Sequence, residues 1–457
     1  MNAVLHGCLM LLVLLAPLPL GSNREWSWTL CAFLVAVIAL AWVLRSLTSP
    51  RAVFNGPGAT IVVAFLAVCA WAWLQTVAWV PVEWKHPLWS MLPQVAEQGG
   101  GSISLSAGDT WVALMRLLSY GLVFFLALQF GRDRKLAYRT FKWIAFAGFA
   151  YALYGLAAYW GEFGTVLWIR DERFVDDVRG TFVNRNSFAT FAGLSLLCAI
   201  AVFNQRFANR TGAAFAMPMG RAQRVESFIL QTWKPLIGIL LMTAALILTH
   251  SRGGFFSTVA GVLVLLQLLN RRQLGHSRSS RAVLGSAVVI AVIAFVLTSE
   301  VLLQRIDRMN IDGNARLEVY GMTTDAAADN PLLGFGYGTF TDSFRLYRDD
   351  RLGAHYDKAH NTYLENIFEL GWPAALVLFG CIAWLGVHCF RGAGRRGRDW
   401  GYAATGAAAT VLVGVHSLFD FSLQMPAVAI TYACVLGVAC AQSFSSVEGR
   451  QGGVNGF

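Results

Sequence analysis

Charged residues are scarce in this chain. They make up 14% of its 457 residues, whereas apolar residues make up 56% and include 31 phenylalanines and 16 tryptophans. A soluble protein of this length needs more charge than this to cover its surface. The composition therefore excludes a soluble globular protein and indicates a chain with a large lipid-facing surface.

Patterns typical of disulfides and metal sites are also missing. The eight cysteines all lie within apolar runs, and none has the spacing of a metal ligand or a partner in a polar loop. Histidines and carboxylates do not cluster at ligand spacing either. We interpret the cysteines as small core residues and expect no disulfide, no bound metal and no cofactor.

Long apolar runs are abundant. About 20 apolar residues in a helix cross the ~30 Å hydrocarbon core of a bilayer. The sequence therefore predicts an all-α polytopic membrane protein of about 12 transmembrane helices. The first run has no basic segment before it, so we interpret it as a helix and not as a signal peptide. The runs are 3–21, 26–44, 59–80, 110–130, 139–160, 187–204, 235–250, 254–270, 282–299, 372–390, 400–420 and 425–443.

Basic residues are concentrated on one side of the predicted membrane. With a cytoplasmic amino terminus, the inner loops and tail hold 21 of the 36 basic residues and four of the 26 acidic residues. This asymmetry is the positive-inside pattern, which sets orientation. We predict that both termini are cytoplasmic, and the net charge of +10 requires no nucleic-acid partner.

The predicted outer loops are unequal and divide the chain into four parts. Residues 1–109 hold the first helices and a large outer loop, and residues 110–299 form a transmembrane core. Residues 300–371 are mostly the longest outer loop, predicted to be partly helical, and residues 372–457 hold the last helices and a tail. Loops longer than about 15 residues usually carry function, so we expect the functional residues on the outer side.

A glycine-rich stretch, "DNPLLGFGYGTF", lies at 329–340 in the longest loop. It has three glycines between positions 334 and 338, which might suggest a phosphate-binding loop. No strand is predicted before it and no Lys-Ser/Thr pair follows it, as such a loop would require. We therefore predict a tight, aromatic-bearing turn at the membrane surface.

Five separate segments bring arginine, histidine or asparagine to the predicted outer side. Ionisable residues at this depth are costly and usually functional, so their joint placement favours a site. The members are Arg116; Arg179, Asn184, Arg185 and Asn186; His250 and Arg252; His360; and His416 with Asp420.

Several members also have a structural alternative. Residues 184–187 could cap the helix that follows them. Arg116 could pair with an outer acid such as Asp109. His416 and Asp420 are four residues apart on one helix face and could bond each other. No single residue therefore decides between a structural and a functional reading.

The chemistry of the set favours transfer from a diphosphate. Several arginines without an accompanying carboxylate cluster suit a phosphate or pyrophosphate, which they grip bidentately. A neutral histidine suits a general base that takes a proton from a hydroxyl group. Tryptophan and tyrosine in the outer loops could stack against sugar rings. These features predict a group transfer in which a lipid diphosphate leaves.

At these residues the sequence resembles the bacterial O-antigen ligase and O-antigen polymerase superfamily. The stretch "RGTFVNRNSFA" (179–189) is similar to its Gly-x-Phe-x-Asn-x-Asn-x-x-Ala segment, and "HSRGG" (250–254) to its Ser-Arg-Gly helix end. The stretches "RLEVYGMTTDAAADNPLLGFGYGTF" (316–340) and "HNTYLENIFELG" (360–371) are similar to its large outer loop. The resemblance covers roughly residues 110–445.

The resemblance implies a metal-independent glycosyltransferase of the bacterial inner membrane, with a periplasmic active site and no cofactor. Its donor would be a glycan on undecaprenyl pyrophosphate, and its acceptor a saccharide such as the lipid A–core of lipopolysaccharide. It assigns the catalytic base to His360 and diphosphate binding to Arg252, Arg179 and Arg316. Further candidates for substrate binding are Arg116, Asn184, Arg185, Asn186, Asn361 and His250.

The spacing around the histidine favours the ligase branch. In that branch a His-Asn pair is followed by nine residues and a glycine, as are His360 and Asn361 by Gly371. The chain departs from the branch at Ala374, where glycine, threonine or tyrosine is usual. The alternatives are a Wzy-type polysaccharide polymerase, a protein-glycosylating enzyme and, from another class, a lipid-linked sugar transporter or flippase. Transporters commonly show internal repeats and polar groups at the midplane, and the sequence shows neither.

The charge asymmetry predicts which loops are accessible from outside. In a cysteine-free background, a cysteine at Asp350 should react with a membrane-impermeant thiol reagent added to intact spheroplasts. A cysteine at Arg396 should react only after lysis, because the basic loops are retained inside. Labelling at position 396 with protection at position 350 would show that the predicted orientation is reversed.

Overall fold

The chain folds into fourteen α-helices and one small hairpin over the part that the computed structural model describes. This part comprises residues 2–48, 57–92, 100–170, 175–214, 221–273, 300–353, 355–396 and 399–443. The hairpin pairs β1 (Thr165–Val166) with β2 (Ile169–Arg170) in antiparallel register. The helices are α1 (Asn2–Leu15), α2 (Glu25–Thr48), α3 (Pro57–Leu74), α4 (Ala107–Gly131), α5 (Arg134–Trp160), α6 (Arg185–Ala214), α7 (Arg221–Leu248), α8 (Arg252–Gln273), α9 (Glu300–Asp329), α10 (Phe340–Ser343), α11 (Thr362–Leu370), α12 (Trp372–Arg395), α13 (Trp400–His416) and α14 (Pro426–Ala441).

Helical apolar segments confirm the prediction of an all-α polytopic membrane protein. Within the described residues, six helices (α2, α4, α5, α6, α8 and α12) are long and apolar enough to cross a bilayer. Four shorter apolar segments lie in α1, α3, α7 and α14. Each predicted run coincides with a helix except 282–299, which lies outside the described residues.

The long loop predicted between residues 300 and 371 is partly helical, as expected. Helix α9 forms its first part, the single turn α10 lies near its middle, and α11 closes it. Helix α11 begins at Thr362 because Asn361 caps it, accepting hydrogen bonds from the backbone N–H groups of Tyr363 and Leu364 at 3.1 Å each. Asn361 is therefore a helix cap that fixes the chain directly after His360.

The last helix, α14, is the centre of the main core. Every residue from Pro426 to Ala441 is buried, and the helix packs against α4, α6, α12 and α13. Its small residues allow close approach, as is common between membrane helices. A Cβ atom on Gly437 would lie 2.5 Å from the carbonyl oxygen of Phe124 in α4, so only glycine fits there.

A second core lies under the long loop, and hydrogen bonds from Gln75 connect its segments. Its buried apolar side chains come from α3, α4, α9, α11, α12 and residues 335–352. The buried Gln75 amide donates to the carbonyl oxygens of Leu333 at 2.7 Å and Glu369 at 2.9 Å, and it accepts from the N–H of Tyr337 at 3.0 Å. One side chain thus joins the end of α3 to the glycine-rich stretch and to α11.

The glycine-rich stretch is a tight turn, as the sequence predicted. Gly334 has a φ of +67°, and a Cβ atom there would lie 2.3 Å from the carbonyl oxygen of Glu369. Gly371 has a φ of +76°, and its Cβ would lie 2.4 Å from the carbonyl oxygen of Leu332. Both positions require the left-handed conformation and a bare backbone. The glycines therefore serve close packing against α11.

Close packing of α14 on α4 makes a prediction about stability. Gly437→Ala should lower the free energy of unfolding by about 1–3 kcal/mol, because the added methyl group forces the two helices apart. Thermal unfolding of the purified protein in detergent measures the effect. Gly380→Ala in α12 is the control, since nothing lies within 4 Å of its Cβ position. Equal melting temperatures for the two variants would contradict the packing account.

Candidate functional site

Two turns from distant parts of the chain are joined at one end of the helix bundle. The N–H of Thr362 donates to the carbonyl oxygen of Ser417 at 2.9 Å, and the Thr362 hydroxyl donates to the carbonyl oxygen of Asp420 at 2.8 Å. The third link joins His360 Nδ1 to Asp420 Oδ1 at 3.2 Å. The turn 360–362 is thereby fixed to the turn 416–420, which follows α13.

His360 is held in an unusual conformation. Its φ of +54° lies in the left-handed region, which non-glycine residues rarely adopt and which is often found at functional sites. Its ring lies edge-on to Phe421 at a centroid distance of 5.0 Å, and its carbonyl oxygen accepts from the Tyr320 hydroxyl at 2.9 Å. The side chain is 24% exposed, so a ligand can reach it.

Asp420 lies beyond the end of α13, and its side chain is 3% exposed. Burial alone would raise the pKa of its carboxyl group. The hydrogen bond from His360, the nearby imidazoles and the N–H of Phe421 outweigh burial and lower the pKa below its usual 3.8. An ionised Asp420 accepts the Nδ1–H of His360 and leaves the Nε2 lone pair available. This is the arrangement that orients a histidine base.

His416 is buried beside this pair and does not bond Asp420 as the sequence alternative suggested. It is 1% exposed, and neither ring nitrogen has a hydrogen-bond partner among the described residues. Its Nε2 lies 3.8 Å from the Cβ position of Gly253, in the first turn of α8. Unpaired buried polar groups are costly, so a ring with two of them points to a ligand or solvent contact.

Asp177 is the centre of a second cluster and corrects the expectation of arginines without a carboxylate. Its oxygens contact the guanidinium groups of Arg185 at 2.8 Å and Arg179 at 3.1 Å, and the Nδ1 of His250 at 3.0 Å. Asp177 is 5% exposed. The sequence interpretation missed it because nothing in this charged segment indicates that Asp177 is buried, and its bond to His250 joins positions 73 residues apart.

The carboxyl group of Asp177 is stabilised in its ionised form. Burial would raise the pKa of Asp177, but the hydrogen bond from His250 and the two guanidinium groups outweigh it and lower the pKa below 3.8. Arg179 also donates to the carbonyl oxygen of Val183 at 2.9 Å. The carboxylate thus holds the guanidinium groups of Arg179 and Arg185 in place.

A sharp turn connects the two clusters. His250 has a φ of +51°, and Ser251 then caps α8 by accepting from the N–H of Gly254 at 3.1 Å. A Cβ atom on Gly254 would lie 2.4 Å from the Cβ of Ala189, so α8 starts in close contact with α6. Arg252 is the first residue of α8, two positions after His250, and the Cβ position of the next residue, Gly253, lies 3.6 Å from Phe419 Cβ and 3.8 Å from His416 Nε2. The N-terminus of this helix is favourable for an anion.

Arg316 approaches the site from α9. It lies one helical turn before Tyr320, whose hydroxyl bonds the backbone of His360. Burial raises the pKa of Tyr320, with the charge of Arg316 lowering it and that of Asp420 raising it. Arg316 and Asp420 are thus within electrostatic reach of the same hydroxyl.

Glu365 in α11 bonds the backbone just before His360. It was not identified from the sequence. Its buried carboxylate accepts from the N–H of Ala359 at 2.9 Å and pairs with the ammonium group of Lys358 at 3.3 Å. Glu369 lies one turn later, and burial together with the charge of Glu365 raises its pKa to about 8. Glu365 thus anchors the backbone directly before the left-handed residue, whereas Glu369 accepts from the N–H of Phe340 at 3.0 Å.

Two of the residues predicted to bind substrate, Asn184 and Arg116, have other contacts in the structure. Asn184 caps α6 by accepting from the N–H of Asn186 at 2.7 Å, as the structural alternative suggested. Arg116 lies on α4 and stacks on Trp28 of α2, apart from the contacts just described. Across the described ranges, no three His, Cys, Asp or Glu side chains group closely enough to hold a metal ion.

One comparison with known proteins identifies part of the chain. Residues 237–379 match a family model described as O-antigen ligase. The match covers about a third of the chain and includes Arg252, Arg316 and His360. It supports the resemblance to the O-antigen ligase-like superfamily that the motifs indicated. No curated protein matches the chain.

The Asp177 cluster predicts a pH-dependent stability. The lowered pKa means that the carboxylate stabilises the fold above pH 3.8 and loses this effect as the pH falls through its folded pKa. Asp177→Asn should therefore lower the free energy of unfolding by about 2 kcal/mol at pH 7, with a smaller difference below pH 3.8.

Thermal unfolding in detergent at several pH values tests this. Asp349→Asn is the matched control, because Asp349 pairs with Arg351 at 2.8 Å on an exposed surface. It should unfold at the temperature of the wild type. An Asp177→Asn variant with the same unfolding temperature at every pH would refute the role of the cluster.

Proposed function

Since residues 237–379 match the model of the O-antigen ligase family, we propose that this protein transfers a glycan from undecaprenyl pyrophosphate to a saccharide acceptor. The reaction takes place on the periplasmic face of the bacterial inner membrane. The acceptor is the lipid A–core or a comparable surface saccharide, as in a ligase. The observation that carries the proposal is the hydrogen-bonded pair of His360 and Asp420.

In this reaction His360 acts as the general base. Nε2 accepts the proton of an acceptor hydroxyl as the oxygen forms its bond to the anomeric carbon of the donor glycan. The bond between that carbon and the diphosphate oxygen breaks, and the lipid diphosphate leaves with the bonding electrons. Asp420 holds Nδ1–H and stabilises the imidazolium that forms.

The arginines serve the leaving group. The charge on the diphosphate increases as the glycosidic bond breaks, and groups fixed beforehand stabilise this charge most effectively. Arg252 at the start of α8 and Arg316 in α9 supply positive charge near the histidine, and Arg179 and Arg185 supply more beside Asp177. The buried imidazole of His416 can donate one N–H toward the same region. These groups take the role that a metal ion has in other enzymes.

The spacing of His360, Asn361 and Gly371 and the description of the matched family both favour the ligase reaction. A polymerase would use the same base and the same leaving group with a growing glycan as acceptor. A transporter would move the lipid-linked glycan without breaking the glycosidic bond. The products of one assay separate these reactions.

The first expectation concerns the base. Purified protein is incubated with a polyprenyl-diphosphate-linked glycan and a lipid A–core acceptor, and products are followed by gel and mass spectrometry. His360→Ala should reduce transfer by about 10²–10⁴-fold, and Asp420→Asn should reduce it through loss of the oriented tautomer.

Wild-type transfer should continue in EDTA, because arginines and not a metal ion are proposed to stabilise the leaving group.

The control for this experiment is His355→Ala. His355 lies in the same loop, is 47% exposed and pairs with Asp357 at 3.0 Å. It should transfer at the wild-type rate. If His360→Ala stays within a few-fold of the wild type, His360 is not the base. Extended glycan on the lipid carrier would identify a polymerase, and an unchanged donor would favour transport.

A further inference from the structure

Arg116 is a charged residue within a candidate membrane span. Helix α4 crosses as Ala107–Gly131, and Arg116 lies nine residues after its start, about 14 Å along the axis. Its guanidinium carbon lies 4.8 Å from the ring centroid of Trp28, in the first turn of α2. The pair therefore lies on the facing sides of α2 and α4, toward the end where α2 begins.

The structure describes no counterion for Arg116. Asp109, the acid that the sequence offered as its partner, accepts instead from the Ser106 hydroxyl at 2.6 Å. No ion pair joins Arg116 to any acid in the described part of the chain. The cation–π contact with Trp28 holds the guanidinium in place but does not neutralise it.

Three hydrogen-bond donors in this cluster have no partner. Arg116 Nε, Trp28 Nε1 and the Tyr120 hydroxyl are all buried and unbonded among the described residues. Trp28 is 5% exposed, and Tyr120 lies one helical turn after Arg116 on the same face of α4. Guanidinium and indole N–H groups can only donate, and the hydroxyl can donate as well. The cluster thus offers donors and a positive charge without an acceptor.

An uncompensated charge at this depth is costly, so Arg116 needs a counterion from outside the described part of the chain. The anions that a bilayer supplies near its surface are lipid phosphates, and a guanidinium binds a phosphate bidentately. We propose that Arg116, Trp28 and Tyr120 form a binding site for the phosphate of a lipid. No hydrogen bond, ion pair or ring contact among the described residues joins these three side chains to His360 or Asp420, and the proposed site does not depend on glycan transfer.

Two lipids carry the chemistry that the site would recognise. One is an anionic phospholipid of the surrounding bilayer, and the other is a polyprenyl diphosphate. Native mass spectrometry of the purified full-length protein can compare them. The probes are dioleoylphosphatidylglycerol, farnesyl diphosphate and, as a phosphate-free reference, dioleoylglycerol.

Arg116→Leu should weaken binding of a phosphate-bearing probe by about tenfold or more, because a charge-assisted hydrogen-bond pair is lost. Binding of dioleoylglycerol should not change. Trp28→Phe keeps the aromatic face but removes the N–H and should give a smaller loss, so the test survives if Arg116→Leu fails to fold. Arg24→Leu is the control, since Arg24 is exposed just before α2.

The pattern of losses identifies the source of the phosphate. A loss confined to phosphatidylglycerol supports a structural bilayer lipid, and a loss confined to farnesyl diphosphate supports a second contact for a lipid carrier. If Arg116→Leu and Trp28→Phe both bind the two phosphate probes as Arg24→Leu does, the site does not exist. Failure of transfer by His360 variants has no bearing on this result.

Discussion

The candidate site depends on the attachment of one turn, 360–362, to another, 416–420. Three hydrogen bonds join them, and the contact between His360 Nδ1 and Asp420 Oδ1 is the one with chemical consequences. Since 416–420 follows α13 and 360–362 precedes α11, the position of the imidazole is set by the bundle itself. Glu365 supports the same turn from the other side by holding the N–H of Ala359. His360 lies in a loop, but its imidazole is thereby positioned as firmly as a side chain on a helix.

Buried carboxylates organise both halves of the site. Asp420 selects the histidine tautomer, and Asp177 fixes two guanidinium groups and an imidazole. Each is buried, and its pKa is nevertheless lowered because positive or donating partners surround it. His250 and His360 both take left-handed backbone conformations beside these acids. Such strain persists only where surrounding contacts enforce it, which is what the two carboxylates provide.

The positions of the helices could be predicted from the sequence, but which helices and side chains contact each other could not. Apolar runs located the helices because a helix needs about 20 apolar residues to cross the bilayer. The same runs could not show that α14 lies at the centre, since lipid is as apolar as a neighbouring helix and an apolar run does not reveal which of the two it contacts. His360 was identified from its resemblance to a family motif. Asp177 was missed because its sequence neighbours, which include Arg179 and Arg185, do not show that it is buried or that it bonds His250, 73 positions away. Asn184 and Asn361 were named as binding candidates and turn out to be caps, a role that short polar residues before helices commonly have.

The burial of α14 has a consequence for the assembly of the protein during synthesis. Chains enter the bilayer from the amino terminus, and helices associate after insertion. Until α14 arrives, α4 must present to lipid the surface that finally receives Gly437. The bundle end that holds Asp420 is likewise bounded by α14, which begins six residues later. The earlier helices therefore form only a partial bundle in the membrane at first. The site becomes complete when α14 is inserted.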